Sequence, residues 1–269
     1  MDGPPGLSGD LVGLSRARKL LERPGPVVVL TGAGISAESG VPTFRGSGGL
    51  WNTHRAEDLA TPQAFARDPR MVWEWYAWRR RLMAGCRPNP GHLALARFAL
   101  DRPGVLLVTQ NVDGLHERAA REVAGGADPG PALPLELHGS LFRDRCSRCG
   151  RSSPALDSVD ASSARTLPRC TTCGGLLRPA VVWYGEALDA TVISRALEAA
   201  RRAQVCVVVG TSALVYPAAS VPLATLEGGG AVVEVNPDET PLSDLAAVVV
   251  RGRAGEVLPL LLPKEVPQE

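Results

Sequence analysis

The chain has 269 residues, enough to bury one large core and to carry a smaller inserted domain. Its formal net charge of +1 gives no electrostatic reason to expect nucleic acid or an anionic membrane as a main partner. No apolar run approaches the roughly 20 residues that cross a membrane, and the first residues lack the pattern of a secretory signal. We therefore expect a cytoplasmic protein with no dedicated nucleic-acid or membrane partner.

The first strong element is a short β-branched run, Val27–Leu30, which predicts a buried parallel strand. The turn Gly32-Ala33-Gly34 follows it, and its glycines leave room for backbone amides to approach a pyrophosphate. A helix that begins near Ser36 is expected to add its N-terminal dipole. These features predict the front half of a dinucleotide site, although such a glycine pair also occurs in plain strand–helix turns.

The chain then departs from the usual dinucleotide-binding pattern. It breaks at Gly40-Val41-Pro42 and enters residues 43–51, a stretch that is rich in glycine. At the expected distance there is no second strand with an acid that would hold the adenosine ribose. This departure indicates an unusual use of the dinucleotide.

Strand-like and helical runs alternate along the rest of the chain. The predicted strands are Val105–Thr109, Val205–Gly210, Ala231–Asn236 and Ala247–Arg251, and the predicted helices include Pro90–Leu100 and Leu188–Ala203. This alternation predicts an α/β fold, a Rossmann-like doubly wound parallel sheet. We assign residues 1–46, 90–142 and 178–269 to the sheet domain. The helical insertion 47–89 and the cysteine-containing segment 143–177 are expected to form the smaller inserted domain.

Four of the six cysteines form two pairs, Cys146-x-x-Cys149 and Cys170-x-x-Cys173. Two such pairs separated by 20 residues are typical of a zinc ribbon, and four thiolates make a closed, structural metal site. This usage also suits a reducing compartment better than disulfides do. Arginines around the first pair could contact nucleic acid, but such a cluster is more often a solvated face.

Polar residues follow the predicted strand Val105–Thr109, namely Gln110, Asn111 and Asp113. They lie at the carboxyl end of the strand, where α/β sheets bind ligands, although Asp113 alone could simply cap a helix. His116, three residues further on, is interpreted as a helix-face residue with no catalytic role.

His138 ends another apolar run, directly before a glycine. Its imidazole titrates near neutral pH and therefore suits the removal of a proton from a hydroxyl. An isolated histidine is, however, more often a structural residue.

Taken together, residues 31–46, the Gln-Asn-x-Asp block, the His-Gly pair and the paired cysteines resemble the sirtuin family, the NAD-dependent protein lysine deacylases. The resemblance runs from about residue 14 to 262. It implies NAD as a co-substrate, one structural zinc ion and His138 as the general base. The cofactor-binding residues that it implies are Gly32, Ala33, Gly34, Ile35, Glu38, Thr43, Phe44, Arg45, Trp51, Gln110, Asn111, Asp113, Gly210, Thr211, Ser212, Asn236 and Ala254.

The resemblance also implies a binding site for acylated lysines of other proteins. The segment Leu177–Glu186 is similar to the sirtuin segment that pairs with the substrate peptide as an extended strand. The residues implied are Val182, Trp183, Tyr184 and Gly185, with Val215 on the opposite wall. Tyr184 stands where most members have phenylalanine, which leaves the backbone role intact.

Tyr76 and Arg79 bear on the choice of acyl group, because positions i and i+3 of a helix can face one cleft. A guanidinium and a hydroxyl together suit a carboxylate. For an isolated helix the alternative is that the aromatic residues are core anchors and the arginines are solvated. The Tyr-x-x-Arg pattern resembles the sirtuins that remove succinyl and malonyl groups, and acetyl groups stay possible.

Several other functions remain open at this point. A conventional NAD oxidoreductase would transfer a hydride, whereas the sirtuin reaction releases nicotinamide and O-acyl-ADP-ribose. A zinc-ribbon nucleic-acid module would show salt-dependent binding, which the net charge disfavours. A protein that is mainly a lysine deacetylase, or a mono-ADP-ribosyltransferase acting from the same site, would share most of these motifs.

Overall fold

The computed structural model describes residues 11–42, the backbone of 50–51, and residues 54–262. The helices are α1 Leu11–Leu21, α2 Gly34–Ala37, α3 Ala56–Leu59, α4 Pro62–Arg67, α5 Pro69–Gly85, α6 Pro90–Asp101, α7 Leu115–Ala124, α8 Ala190–Arg202, α9 Ser220–Glu227 and α10 Ala254–Leu261. The strands are β1 Val27–Thr31, β2 Leu50–Trp51, β3 His54–Arg55, β4 Val105–Thr109, β5 Leu135–Glu136, β6 Gly139–Cys146, β7 Ser152–Pro154, β8 Leu177–Val181, β9 Val205–Val209, β10 Ala231–Val235 and β11 Val248–Val250.

Within these residues, six strands form a parallel sheet in the order β11-β10-β9-β1-β4-β5. Taken in chain order this is the 3-2-1-4-5-6 arrangement of a doubly wound fold. Every residue of β1 and β9 is buried, as expected for valine-rich strands that are covered on both faces. The predicted Rossmann-like α/β class is confirmed.

The strand order reverses between β1 and β9, which pair directly with each other. Ligands of open α/β sheets bind at such a reversal, beyond the carboxyl ends of the strands. The turn after β1 and the turn after β9 therefore meet at the expected position of a dinucleotide.

A second, antiparallel sheet of three described strands has the order β7-β6-β8. Helix α5 packs on it through an aromatic core that includes Trp73, Trp75 and Trp183. Helix α5 begins sharply because Asp68 accepts hydrogen bonds from two backbone amides and Pro69 occupies the first helical position. The small sheet and the helical insertion thus share one core, separate from the cores on the two faces of the parallel sheet.

Several predicted element limits were wrong by a residue or more. The predicted strands Val205–Gly210, Ala231–Asn236 and Ala247–Arg251 each end one residue too late. Gly210 and Asn236 instead line the cavity beyond the sheet. The helix expected near Ser36 is α2, which has only four residues, so it contributes little dipole to a ligand. The domain limits at 142/143 and 177/178, which stay a prediction, lie within β6 and after the first residue of β8.

Among the described residues, no helix is both long and apolar enough to cross a lipid bilayer.

Candidate active site

A cavity of about 880 Å³ lies between the carboxyl edge of the parallel sheet and the small sheet with its helices. Twenty of the predicted site residues line it: Gly32, Ala33, Gly34, Glu38, Tyr76, Arg79, Gln110, Asn111, Asp113, His138, Val182, Trp183, Tyr184, Gly185, Gly210, Thr211, Ser212, Val215, Asn236 and Ala254. Ile35 does not line the cavity, because its side chain is fully buried in the core beneath the sheet. Thr43, Phe44, Arg45 and the side chain of Trp51 lie outside the described residues.

The two turns at the strand reversal pack directly against each other. The amide of Gly32 donates to the carbonyl of Val209 at 3.0 Å, and that of Gly34 donates to the carbonyl of Gly210 at 2.8 Å. A Cβ on Gly34 would lie 2.7 Å from the Cα of Gly210, which is a steric clash. The glycines are therefore required by the contact between the two turns. The amides of Gly32 and Gly34 are thus already bonded within the protein, so a backbone contact to a pyrophosphate from this turn stays a prediction for the amide of Ala33.

Gln110 and Asn111 tie the end of β4 to these turns. The side-chain amide of Gln110 donates to Thr211 Oγ1 at 3.0 Å. That of Asn111 donates to the Gly32 carbonyl at 2.9 Å and to Ser36 Oγ at 3.2 Å. These bonds hold three separate segments of the chain in one rigid wall of the cavity.

Asp113 is buried at the same wall, and both of its carboxylate oxygens are bonded. Ser36 Oγ donates to one oxygen at 2.7 Å, and the amide of Leu115 donates to the other at 2.9 Å. Burial raises the pKa of Asp113, and the two hydrogen bonds oppose that shift. Asp113 thus bonds to the first residue of α7 from the position before the N-cap residue Gly114, and its other oxygen holds the buried Ser36 in place.

Sequence reasoning missed two buried histidines behind this wall. His92 Nε2 lies 3.4 Å from Ser36 Oγ, and its ring lies 4.7 Å from the ring of His116. His116 Nε2 lies 2.9 Å from Thr31 Oγ1. Burial lowers the pKa of His92 and lowers that of His116 to about 3, so both imidazoles are neutral. His116 lies on helix α7, as predicted, and the face of α7 that carries it is buried behind the wall.

No short sequence pattern could have revealed this group, since its members come from β1, α2, α6 and α7. A local signal did exist for His92 alone, in the sequence Asn89-Pro90-Gly91-His92. The Asn89 side chain caps α6, and the backbone amide of Asn89 donates to the ring of His92 in return. This capping box fixes the orientation of the His92 ring.

His138 lies at the floor of the cavity, just before β6. Its Nδ1 is 2.9 Å from the carbonyl oxygen of Gln110, so Nδ1 carries the proton and Nε2 is the basic nitrogen. Burial lowers the pKa of His138, and the hydrogen bond to the Gln110 carbonyl opposes this shift only in part. A neutral imidazole with a fixed tautomer can accept a proton from a ligand hydroxyl.

The four paired cysteines come together at the far end of the small sheet. Their sulfur atoms lie within 4.8 Å of one another, with 3.4 Å between Cys146 and Cys173 and 3.8 Å between Cys149 and Cys170. Zinc–sulfur bonds of about 2.3 Å in a tetrahedron require sulfur separations of about 3.8 Å. The four sulfurs therefore fit one zinc ion, whose role is structural.

Tyr76 and Arg79 lie side by side on α5 and both line the cavity. Tyr76 is buried, and its hydroxyl oxygen accepts a hydrogen bond from Trp183 Nε1 at 2.8 Å. The guanidinium of Arg79 stacks on Trp75, 4.9 Å from the ring centroid. Burial raises the pKa of Tyr76 to about 12 and lowers that of Arg79. Tyr76 is therefore more than an anchor of the core, and Arg79 is more than a solvated surface residue, because both side chains line the cavity.

One rim of the cavity is formed by the residues after β10. The Asn236 side chain donates to the Thr211 carbonyl at 2.9 Å and accepts from the Asp238 amide at 3.3 Å. Nearby, Glu38 accepts a hydrogen bond from the amide of Gly255 at 2.6 Å. These contacts fix the loop after β10 and the start of α10 at the rim of the cavity.

Comparisons with known proteins agree with this geometry. A model of the Sir2 family matches residues 32–217. The chain is 52% identical over 234 residues to "NAD-dependent protein deacylase 1" of Archaeoglobus fulgidus, covering 86% of this chain and 89% of the relative. It is 49% identical over 254 residues to the "NAD-dependent protein deacylase" of Thermococcus kodakarensis, covering 93% and 94%.

Solved structures give the same result. A Sir2 homologue in complex with NAD superimposes with a TM-score of 0.81 at 48% identity, over 92% of this chain and 91% of that one. A Sir2 protein bound to an acetylated peptide superimposes with a TM-score of 0.76 at 30% identity, over 91% and 95%.

The chain therefore belongs to the Sir2 family. Within that family it is an enzyme, an NAD-dependent protein deacylase that uses NAD as a co-substrate and has a four-cysteine site for structural zinc.

Proposed function

We propose that this deacylase removes acyl groups that end in a carboxylate, succinyl and malonyl, from protein lysines, with acetyl as a further substrate. The observation that carries the proposal is the position of Tyr76 and Arg79, which lie together on α5 at the cavity wall. Helix α5 thereby presents a cation and a hydroxyl where an acyl chain would end.

The charge of Arg79 favours an acidic acyl group. Keeping a half-buried guanidinium partly out of water is costly, and burial lowers the pKa of Arg79. A carboxylate beside it would form charge-assisted hydrogen bonds, each of which contributes about 1.5–3 kcal/mol. The methyl end of an acetyl group offers no acceptor, so it gains nothing from Arg79.

Apolar residues in the same cavity support acetyl as an additional substrate, and a mainly deacetylating enzyme is the second candidate. Trp75, Met83 and Val112 also line the cavity and suit the methylene or methyl part of an acyl chain. These residues do not distinguish succinyl from acetyl, whereas Arg79 does.

The substrate peptide is proposed to bind as an extended strand along 182–185, opposite Val215. The amides of Val182, Trp183 and Tyr184 already donate to the His138 carbonyl, to Glu186 and to the Ala60 carbonyl. Strand pairing with the peptide therefore has to use the carbonyl groups of this segment and the amide of Gly185. From sequence we expected the whole backbone of 182–185 to be able to pair with the peptide, whereas three of its four amides are already bonded within the protein.

His138 is proposed as the general base that removes a proton from a ribose hydroxyl of NAD. When bound, NAD supplies a ribose carbon that accepts the acyl oxygen as nicotinamide leaves. Asn111 and Asp113 are proposed to contact the nicotinamide and Gln110 its ribose. The turns at Ala33 and Thr211 are proposed to hold the phosphates and ribose.

The proposal is tested with peptides that carry acetyl-, malonyl- or succinyl-lysine, assayed with NAD by mass spectrometry of the peptide and of the ADP-ribose product. We expect Arg79→Met to lower kcat/KM for the succinyl peptide by about 10- to 100-fold and that for the acetyl peptide only slightly. Arg81→Met is the matched control, because Arg81 is exposed on the same helix.

An equal loss of both activities in Arg79→Met would contradict the carboxylate assignment. A peptide that gains the mass of ADP-ribose, with its acyl group retained, would instead identify a mono-ADP-ribosyltransferase.

A further inference from the structure

The hydrogen bond between Trp183 and Tyr76 has a fixed direction. Trp183 Nε1 lies 2.8 Å from the hydroxyl oxygen of Tyr76, and both side chains are buried. An indole N–H donates and cannot accept, so the Tyr76 oxygen is the acceptor in this bond. The hydroxyl hydrogen of Tyr76 is therefore directed to some other group.

The neighbouring Arg79 cannot take that hydrogen either. The guanidinium of Arg79 lies 5.6 Å from the centroid of the Tyr76 ring, and a guanidinium has only donors. Neither Trp183 nor Arg79 can therefore accept the hydroxyl hydrogen of Tyr76. A ligand that meets Tyr76 and Arg79 together meets N–H and O–H donors, and the chemical group that fits this arrangement is one with acceptors only, a carboxylate.

Trp183 is itself held firmly. The guanidinium of Arg178 lies 3.3 Å from the centroid of its ring. Arg178 is fixed by two bonds to the Glu186 carboxylate, at 2.5 and 2.9 Å, and by one to the Val181 carbonyl at 2.7 Å. The backbone amide of Trp183 donates to the same carboxylate at 2.9 Å. The indole N–H is therefore presented to Tyr76 in one orientation.

We propose that Trp183 is a positioning residue that sets acyl-group specificity by holding the Tyr76 hydroxyl as a donor toward an acidic acyl group. This inference rests on the proposed function. It adds that selectivity for the carboxylate depends on Trp183, which acts on the acyl group indirectly, by its hydrogen bond to Tyr76. Without the indole N–H, the Tyr76 hydroxyl is free to rotate, and part of the ordering of the donors is lost.

The test is a double-mutant cycle with Trp183→Phe and Tyr76→Phe, measured on succinyl- and acetyl-lysine peptides. Trp183→Phe keeps an aromatic ring under Arg178 and removes only the N–H donor and the larger ring. We expect it to lower kcat/KM for the succinyl peptide by about 5- to 10-fold more than it lowers kcat/KM for the acetyl peptide. In the Tyr76→Phe background, Trp183→Phe should have no further effect on the succinyl peptide.

Phe65→Leu is the matched control. The ring of Phe65 packs 5.3 Å from the ring of Trp183, so its truncation loosens the packing of Trp183 while the indole N–H is kept. We expect this variant to change both activities to the same extent. Equal effects of Trp183→Phe on both peptides, or an undiminished effect in the Tyr76→Phe background, would overturn the inference.

A second measurement uses the wild-type protein and does not depend on a variant that folds. The indole N–H resonance of Trp183 in a ¹H–¹⁵N spectrum reports the strength of its bond to Tyr76. We expect the succinyl peptide to shift it, because donation by Tyr76 to a carboxylate makes its oxygen a better acceptor. A shift of the same size with the acetyl peptide would overturn the inference.

The two proposals fail in different ways. If the wild-type enzyme does not desuccinylate, both are wrong. If it does, and Arg79→Met abolishes the preference while the cycle shows no coupling, only the role of Trp183 is wrong.

Discussion

The Nδ1 atom of His138 lies 2.9 Å from the backbone carbonyl oxygen of Gln110, the residue that follows strand β4. This bond connects the proposed base to the strand that also positions Asn111 and Asp113. The tautomer of His138 is consequently set by the parallel sheet, while its backbone belongs to the approach to the small sheet.

The first prediction concerns the pH dependence of catalysis. Because the base is active only when neutral, and because burial lowers the pKa of His138 below its ordinary value of 6.5, kcat should rise with pH and level off below pH 6.5. His138→Gln should lower kcat by about 100-fold or more and remove this acid limb. A limb that persists in the variant would assign the titration to another group.

The second prediction concerns the contact between the two glycine turns. Gly34→Ala places a Cβ 2.7 Å from the Cα of Gly210, so we expect a loss of about 1–3 kcal/mol in the free energy of unfolding and weaker NAD binding. Urea unfolding and calorimetry measure the two effects. Gly85→Ala is the control, since a Cβ there meets no atom within 4 Å, and its stability should be unchanged or slightly higher.

The third prediction concerns Glu234, a fully buried carboxylate on β10. Its oxygens accept hydrogen bonds from Thr240 Oγ1 and Ser243 Oγ, both at 2.5 Å. The loop that these bonds hold includes Asn236, and residues 236–240 line the cavity. We expect Glu234→Gln to raise KM for NAD several-fold while KM for the acyl peptide changes little.

Steady-state kinetics with each substrate varied in turn separates these effects. Glu198→Gln, an exposed site on α8, serves as the control and should behave as the wild type. If Glu234→Gln raised both KM values together, the loop would not act on NAD alone.

The fourth prediction concerns the metal. We expect one zinc ion per chain by elemental analysis, and Cys170→Ser should lower that content and the thermal midpoint Tm of unfolding. Cys86→Ser should retain the zinc, because Cys86 lies outside the cluster. Full zinc content in Cys170→Ser would show that the four sulfurs do not act as one site.

How much could be predicted from sequence depended on whether a feature was local. The parallel strands were predictable because they come from short runs rich in valine and leucine, such as Val205–Val209. The cysteine pairs were predictable because two ligands on one tight turn keep a fixed spacing. The contact between His92 and His116 could not be predicted from sequence, because it depends on how α6 packs on α7.

Single positions inside a correct motif were also beyond sequence reasoning. Ile35 follows the glycine turn directly, yet the short helix α2 turns its side chain into the core. Likewise, the spacing of Gly32 and Gly34 fits a phosphate turn, but their amides bond to the neighbouring turn. Both outcomes are set by the packing of β1 against β9, which no local pattern encodes.

Strand β6 starts immediately after His138 and ends at Cys146, a ligand of the proposed zinc site. The proposed base and the metal site are therefore joined by one strand of eight residues, and both ends of this strand pair with β8. In a cell short of zinc, newly made chains would lack the anchor at the far end of that strand. Zinc takes no part in the chemistry, yet its supply would then determine how many molecules hold His138 in its working position.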